Sequence, residues 1–309
     1  MICSENDGPY PKSLSDDHIP NNSETNIGSI CEALCLRASG RSLLETTLVV
    51  ISLILFSTCS VLAPVEAKGR PVIAGTLIDN YLIVDLYGDG GFRARNVEGR
   101  WITFPGDTSM LSVRIGRSEY ALYPNLSIGV ELDSFFILSE NQTEVSWWID
   151  GVRVGQRLNL ISGTIYIMFE ITSFRKESTD ISLRFLLDFQ LGENDGAPIY
   201  VENHGFITNE VAFTFPRNVS LEKWWVCDSL ETRSTVICRL TTPCSKLIFA
   251  YWGTAKNSIF DYNPISARSF YQPESPKYPE SDGCALIYYP FVAMKPNTTK
   301  TVTLTYGIF

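Results

Sequence analysis

Short runs rich in Val, Ile, Phe, Tyr and Thr recur along the chain beyond residue 71, and Gly, Pro, Asn and Asp separate them. Val145–Asp150 and Val152–Leu160 flank an Asp-Gly dipeptide, which is typical of a two-residue hairpin turn. Thr164–Ser173 and Asp180–Gln190 continue the series. Because no long amphipathic helix period lies between the runs, the pattern favours antiparallel pairing over a parallel sheet. It predicts an all-β fold, a large antiparallel and supersandwich-like β-sandwich over residues 68–309.

The first 67 residues differ in composition from the rest. Residues 1–42 are polar and rich in Ser, Asn and Asp, which predicts a disordered leader. Residues 43–67 are predicted to be a hydrophobic helix, and their uncharged part, residues 47–63, is about long enough for a short membrane span. Two interpretations stay open: a transmembrane signal anchor, or a signal peptide cleaved after the small-residue triplet Val65-Glu66-Ala67. Both place residues 68–309 outside the cell, at the cell surface if the helix is retained.

Cysteines and glycosylation sequons support this prediction of export. An even number of cysteines in residues 68–309 is typical of disulfide-bonded exported proteins; they are Cys227, Cys238, Cys244 and Cys284. We predict the pairs Cys227–Cys238, across an apparent hairpin, and Cys244–Cys284, although three pairings are possible. Zinc is disfavoured because no two of these cysteines have the CxxC spacing. Four sequons predict a glycoprotein, with acceptors at Asn125, Asn141, Asn218 and Asn297.

Composition excludes several other classes of function. The net charge of −9 and the absence of a basic cluster argue against a nucleic-acid partner. No Gly-x-Ser-x-Gly sequence occurs, and no Gly-rich loop opens a helix. His204 is the only histidine in residues 68–309, so a two-histidine catalytic site is impossible. We therefore assign no catalytic residue, and an enzyme is the less favoured interpretation.

The segment that ends the run at Asp188 is the best candidate for a metal site. Asp188, Glu193, Asn194 and Asp195 lie within eight residues, with Gly192 among them and Gly196 directly after them. Carboxylates and amides at short spacing offer the hard oxygen ligands that Ca²⁺ prefers, which predicts ligands at Asp188, Asn194 and Asp195. The alternative is a rigid turn in which these side chains bond to nearby backbone groups, or an internal ion pair with Arg184.

Aromatic residues give a second candidate site. Trp224, Trp225, Trp252 and His204 are predicted to contact a ligand, since indole rings stack on sugars. Neighbours in a strand face opposite sides, so one of Trp224 and Trp225 is expected in the core. Paired carboxylates could instead hydrolyse a glycosidic bond, with Asp188, Glu193, Asp195 and Glu170 as candidates.

Several motifs follow one another in an order that carries a family resemblance. They are Gly88–Ala94, the Asp150-Gly151 hairpin, Arg184–Pro198, Trp224-Trp225, Tyr251-Trp252 and Leu304–Gly307. Together they cover most of residues 71–309 and resemble an uncharacterised secreted β-sandwich family of bacteria and archaea. Its members are similar in fold to galactose mutarotase, so the resemblance implies a mutarotase-like sandwich and no established activity. Phe189 departs from the small polar residue expected at its position.

These observations lead to a functional hypothesis. The chain is predicted to be an exported, non-catalytic cell-surface or extracellular domain that binds carbohydrate or another surface protein. Two alternatives stay open: a carbohydrate-active enzyme, either aldose epimerase-like or a glycosidase, and a structural component of the cell envelope. Ca²⁺ at the acidic turn is the only candidate cofactor.

Overall fold

Strands dominate the part of the chain that the structure describes. The computed structural model describes residues 72–216, 221–230, 236–271 and 282–308. Within these ranges lie 18 strands and one short helix, α1 (Trp252–Ala255). The leader and hydrophobic helix predicted at residues 1–67 lie outside the described residues. In the ranges given, no helix has the length and apolar character needed to cross a membrane.

The strands form three antiparallel sheets. The smallest sheet has the order β1-β2-β3 and consists of β1 (Ile73–Ile78), β2 (Leu82–Tyr87) and β3 (Phe92–Asn96). The strands of the six-stranded sheet are β4 (Met110–Ile115), β5 (Ser118–Tyr123), β10 (Thr179–Asp188), β13 (Val211–Thr214), β16 (Lys246–Tyr251) and β17 (Gly283–Met294). Their order is β13-β16-β17-β10-β4-β5, which places β10 in the middle of the sheet.

The third sheet has nine strands. They are β6 (Val130–Ser139), β7 (Gln142–Ile149), β8 (Val152–Ile161), β9 (Thr164–Ser173), β11 (Ile199–Val201), β12 (Gly205–Ile207), β14 (Lys223–Val226), β15 (Val236–Arg239) and β18 (Thr298–Ile308). Their order is β12-β11-β14-β15-β18-β9-β8-β7-β6. The predicted Asp-Gly hairpin joins β7 to β8, with φ of 45° at Asp150 and 72° at Gly151, as a turn with two left-handed residues requires. The predicted all-β antiparallel sandwich is confirmed.

Alternation along the strands builds the main core. In β8, the side chains of Val152, Val154, Leu158 and Leu160 are fully buried and alternate with partly exposed residues. The buried faces of all three sheets contribute to one apolar cluster. One polar residue of that face, Gln156, donates to the carbonyl oxygen of Gly90 at 2.8 Å and accepts from the hydroxyl of Tyr123 at 2.7 Å. Its burial is therefore compensated.

The opposite face of the six-stranded sheet is also buried. Strand register aligns three rows of side chains across β10, β17 and β16: Arg184–Tyr288–Lys246, Leu186–Leu286–Ile248 and Asp188–Cys284–Ala250. Ala255, Phe260 and Tyr262 join these rows in a second, smaller apolar cluster. The segment that follows β16 therefore covers polar and charged residues of β10, including Arg184 and Asp188.

Glu210 anchors this covering segment. The residue is 2% exposed. Its carboxylate accepts hydrogen bonds from the amide of Tyr251 at 3.1 Å, the hydroxyl of Tyr262 at 2.8 Å and the amide of Ile265 at 2.6 Å. Arg268 lies 3.5 Å away. Tyr251 ends β16 and the other three groups belong to the covering segment, so one carboxylate joins the segment to the strand before it.

We expect Glu210→Ala to lower the free energy of unfolding by about 3 kcal/mol, because buried donors lose their acceptor. Urea denaturation checks this value. Glu222→Ala, which truncates an exposed glutamate, serves as the control and should change the free energy by less than about 0.5 kcal/mol. Equal effects of the two substitutions would contradict the anchoring role of Glu210.

The predicted disulfides are wrong, since Cys227, Cys238, Cys244 and Cys284 are all free. Cys238 pairs in register with Trp224, three residues away from Cys227. That separation is about 10 Å along a strand, beyond the limit of about 7 Å between bridged Cα atoms. Cys284 belongs to the outer apolar cluster and Cys244 to the main core, so their side chains do not meet.

Candidate metal centre

Three carboxylates converge at one end of β10. Asp188 is the last residue of this strand, Asp195 lies in the turn that follows, and Asp282 directly precedes β17. Each residue offers one carboxylate oxygen, and these oxygens all lie within 4.8 Å of one another. We call this group the aspartate triad.

Backbone pairing fixes the positions of the three residues. Asp188 lies opposite Cys284 in the β10–β17 register, which brings Asp282 beside it. The amide of Gly283 donates to the carbonyl oxygen of Asp195 at 3.0 Å, and this bond attaches the turn to β17. Leu191 and Asn194 close the turn through two backbone hydrogen bonds of 3.0 Å. Backbone hydrogen bonds therefore hold the three residues in place, and their carboxylates are not needed for this.

The triad contains carboxylate oxygens that lack hydrogen-bond partners. Asp188 is 1% exposed, whereas Asp195 and Asp282 are partly buried. In all three residues, Oδ1 is buried and accepts no hydrogen bond from any described residue. Buried carboxylate oxygens are normally hydrogen-bonded or bound to a cation, because desolvation of an unpaired charge is costly.

The environment raises the pKa of each carboxyl group. Burial raises the pKa of Asp195 to about 7. Burial, and then repulsion from Asp195, raise the pKa of Asp282 to about 8, against a smaller opposing effect of Lys256. Burial and the charge of Asp282 raise the pKa of Asp188 well above its usual range, although Thr108 donates a hydrogen bond to it. Without a counter-charge, the triad therefore retains protons at neutral pH.

The donor set and its spacing fit a hard divalent cation. Calcium lies about 2.3–2.6 Å from its oxygen ligands, so two ligands on opposite sides are about 4.6–5.2 Å apart. The oxygens of the triad, all within 4.8 Å of one another, can reach a common ion. All three donors are carboxylate oxygens, which suit calcium or magnesium better than a soft metal. Calcium also tolerates irregular geometry, whereas magnesium requires a near-ideal octahedron.

Only part of this site follows from the sequence prediction. The structure brings together Asp188 and Asp195, which were predicted, and adds Asp282, which was not. Asn194 contributes to the turn through its backbone. Arg184 does not pair with these acids; it donates to Ser258 Oγ at 2.9 Å and to the carbonyl oxygen of Phe260 at 3.1 Å. The only sequence signal for Asp282 is its place just before an apolar run.

The predicted aromatic ligand site does not form as one cluster. Trp224 is fully buried and packs against Phe249 and Phe189, so its ring is not accessible to a ligand at the surface. Trp225 lies on the outer face of the nine-stranded sheet, 5.6 Å from Tyr200 between ring centroids.

The two remaining aromatic candidates lie in separate places. His204 is exposed, and its ring packs edge-on against Phe213 at 4.9 Å. Trp252 borders the aspartate triad: its amide donates to the carbonyl oxygen of Asp282 at 2.9 Å, and Lys256 Nζ lies 3.9 Å from the centre of its ring.

The glycosylation acceptors stay predictions. Asn125, Asn141 and Asn297 are exposed, as attachment of a glycan requires. Asn218 lies outside the described residues.

The described chain is thus an all-β sandwich with a buried carboxylate cluster, and similar folds occur among solved structures. No model of a known protein family matches the sequence, and no curated protein matches it significantly. A galactose mutarotase related enzyme from Lactobacillus acidophilus has 8% identity and a TM-score of 0.48, covering 76% of this chain and 97% of that one.

Two further structures illustrate the range of these similarities. A galactose mutarotase-like protein from Lactobacillus casei has 10% identity and a TM-score of 0.37, with coverage of 76% and 99%. The 4-alpha-glucanotransferase from Thermococcus litoralis has 9% identity and a TM-score of 0.44, and 38% of its chain is covered. The two Lactobacillus proteins are described as mutarotase-related, which is the type that the sequence resemblance named. Similarity at this level indicates nothing about the substrate or activity of this chain.

Proposed function

We propose that residues 68–309 form an exported, non-catalytic domain that binds carbohydrate or another protein outside the cell, and that Ca²⁺ bound by the aspartate triad stabilises it. The observation that carries the cation proposal is the set of buried oxygens on Asp188, Asp195 and Asp282, none hydrogen-bonded to a described residue. Export and surface location rest on residues 1–67 and on the sequons, which are sequence predictions.

Charge supports a bound cation. Three ionised carboxylates would bring a charge of −3 into a largely desolvated site, and Lys256 is the cation that acts on Asp188 and Asp282. A divalent ion would neutralise the charge that Lys256 leaves and supply the missing partner of each oxygen. Extracellular modules commonly bind calcium with a Kd of about 10⁻⁴–10⁻³ M, which suits a domain outside the cell.

The position of the triad supports a stabilising role for the cation. Its ligands come from the end of β10, from the turn after it and from the start of β17. One ion would therefore cross-link segments that are almost 100 residues apart in the sequence (282 − 188 = 94). Cross-links between distant segments restrict the unfolded chain most, because they close long loops.

Thermal unfolding of the purified protein with calcium and with EDTA tests the proposal. For a Kd of about 0.1 mM, about 10 mM calcium adds about 2.7 kcal/mol of stability, which corresponds to a rise in Tm of about 5–10 °C. Isothermal titration should give one calcium ion per chain. Equal Tm values in calcium, magnesium and EDTA would contradict the cation proposal.

One observation favours a second candidate, a carbohydrate-active enzyme. Asp195 and Asp282 have pKa values of about 7 and about 8, so both exchange protons near neutral pH, as a general acid and base must. Glu193 is exposed, and Glu170 lies on the nine-stranded sheet, so neither belongs to the triad. Hydrolysis of nitrophenyl glycosides that persists in EDTA and disappears in Asp195→Asn would favour this enzyme over the binding domain.

A further inference from the structure

Arg184 is a fully buried cation in the middle of the six-stranded sheet. Its side chain is 0% exposed, and its neighbours in the register are Ser112 on β4 and Tyr288 on β17. Arginine is almost never fully buried without a partner of opposite charge. Among the described residues, however, no carboxylate lies within 4.0 Å of its guanidinium group, which makes no ion pair there. Burial lowers the pKa of Arg184, yet an arginine stays charged in a protein.

Several hydrogen bonds hold the guanidinium but do not satisfy it. Nη1 donates to Ser258 Oγ and to the carbonyl oxygen of Phe260, and Nη2 contacts the sulfur of Met110 at 3.9 Å. All of these acceptors are neutral. The Nε–H group is buried and donates to no described residue.

A second unsatisfied donor lies beside it. Ser112 is 0% exposed, and its Oγ makes no hydrogen bond within the described part of the chain. Ser112 and Arg184 are directly opposite in the β4–β10 register, so their side chains leave the sheet on the same face. Two neighbouring residues on this face, Arg184 and Ser112, thus each carry a buried donor without an acceptor in the described structure: Nε–H of the charged guanidinium and the Oγ–H hydroxyl.

The surrounding charges leave an excess of one positive charge. Three cations meet the segment from Phe260 to Tyr262: Arg184 at the carbonyl of Phe260, Arg114 at 4.2 Å over the Phe260 ring, and Lys246 at 3.4 Å from the carbonyl of Tyr262. The two carboxylates that make ion pairs here, Glu119 and Asp261, both bind Arg114. Arg184 and Lys246 are left without an acid within ion-pairing distance in the described structure.

We infer that Arg184 and Ser112 hold a small monovalent anion, and that this anion is chloride. A halide accepts hydrogen bonds and donates none, so it fits two neighbouring donors, Nε–H and Oγ–H. Its single negative charge offsets the excess positive charge of the cluster. Full burial of both residues excludes a large anion such as a sugar phosphate. Arg184 lies on the same strand as Asp188, β10, but neither Arg184 nor Ser112 belongs to the aspartate triad.

Replacement of chloride by gluconate, an anion too large for the site, tests the inference. Both salts are used at about 0.15 M, so exposed charges are screened equally. We expect Tm of the purified protein to be about 2–4 °C higher in sodium chloride. A crystal grown in sodium bromide should show an anomalous-scattering peak beside Arg184 Nε.

Three variants make the test specific. Arg184→Met removes the charge and the donors at similar length, and Ser112→Ala removes only the hydroxyl donor; both should lose the difference between chloride and gluconate. Ser112→Ala is the milder change and still reports on the site if Arg184→Met does not fold. Arg153→Met, which removes an exposed arginine bound to Asp133 at 3.1 Å, should keep the difference. Equal Tm values in the two salts, with no bromide peak or only a water beside Nε, would overturn the inference.

Discussion

The Asp188→Asn variant is expected to unfold at nearly the same temperature in calcium and in EDTA. Asp188 is the most deeply buried member of the aspartate triad, at 1% exposure. The amide has almost the same volume, but it removes one negative charge and replaces one oxygen by an NH₂ group that repels a cation. A Kd weaker by about 100-fold would reduce the calcium-dependent rise in Tm from about 5–10 °C to about 1–2 °C.

The same variant should not be less stable than the wild type in EDTA at about pH 8. In the wild type, the buried carboxyl of Asp188 must retain a proton or be ionised without a partner, and either state costs free energy that a neutral amide avoids. Loss of the calcium response without loss of calcium-free stability separates removal of a ligand from general damage to the fold.

Glu193→Gln provides the matched control for this experiment. Glu193 lies two residues before Asp195 in the same turn, but it is exposed and does not belong to the triad. The variant changes the net charge by the same amount and should keep the full calcium-dependent rise. If Asp188→Asn kept that rise while Glu193→Gln lost it, the ligand would be the exposed turn and not the triad.

Local patterns in the sequence account for most of the strands. The hairpin between β7 and β8 was predicted because Asp150-Gly151 is a local signal, and its left-handed φ angles confirm the reason. The predicted disulfides were wrong because the pairing of cysteines depends on strand register and on side-chain direction, which the local sequence does not give. Cys238 faces Trp224 across two strands, and a shift of three residues puts Cys227 out of reach.

Long-range register also explains why the sequence identified two of the three members of the aspartate triad and missed the third. Asp188 and Asp195 are close in sequence, so a dense acidic turn identified both. Asp282 joins them only because β10 pairs with β17, placing Asp188 opposite Cys284. Nothing in the residues near Asp282 specifies that pairing. The burial of Arg184 has the same origin, since the segment that covers it follows β16, more than 60 residues later in the chain (252 − 184 = 68).

The calcium-dependent rise in Tm should grow with pH. Without calcium, the folded protein keeps protons on Asp195 and Asp282, with pKa values of about 7 and about 8, whereas the unfolded chain releases them near the ordinary value of 3.8. The contribution of these groups to stability is therefore fully present below about pH 4 and is lost as pH rises to about 8. Calcium binds the ionised form, so it must displace protons at low pH and binds freely at high pH.

Tm measured with calcium and with EDTA at about pH 5.5 and about pH 8.5 checks this prediction. We expect a small difference at the lower pH, because protons compete for the same oxygens, and the full rise at the higher pH, where Asp195 and Asp282 are both ionised. In EDTA alone, Tm should fall between the two pH values, since the apo triad is then charged and unpaired. Glu193→Gln should reproduce both trends. An equal calcium effect at both pH values would mean that the cation binds carboxylates of ordinary pKa, outside the triad.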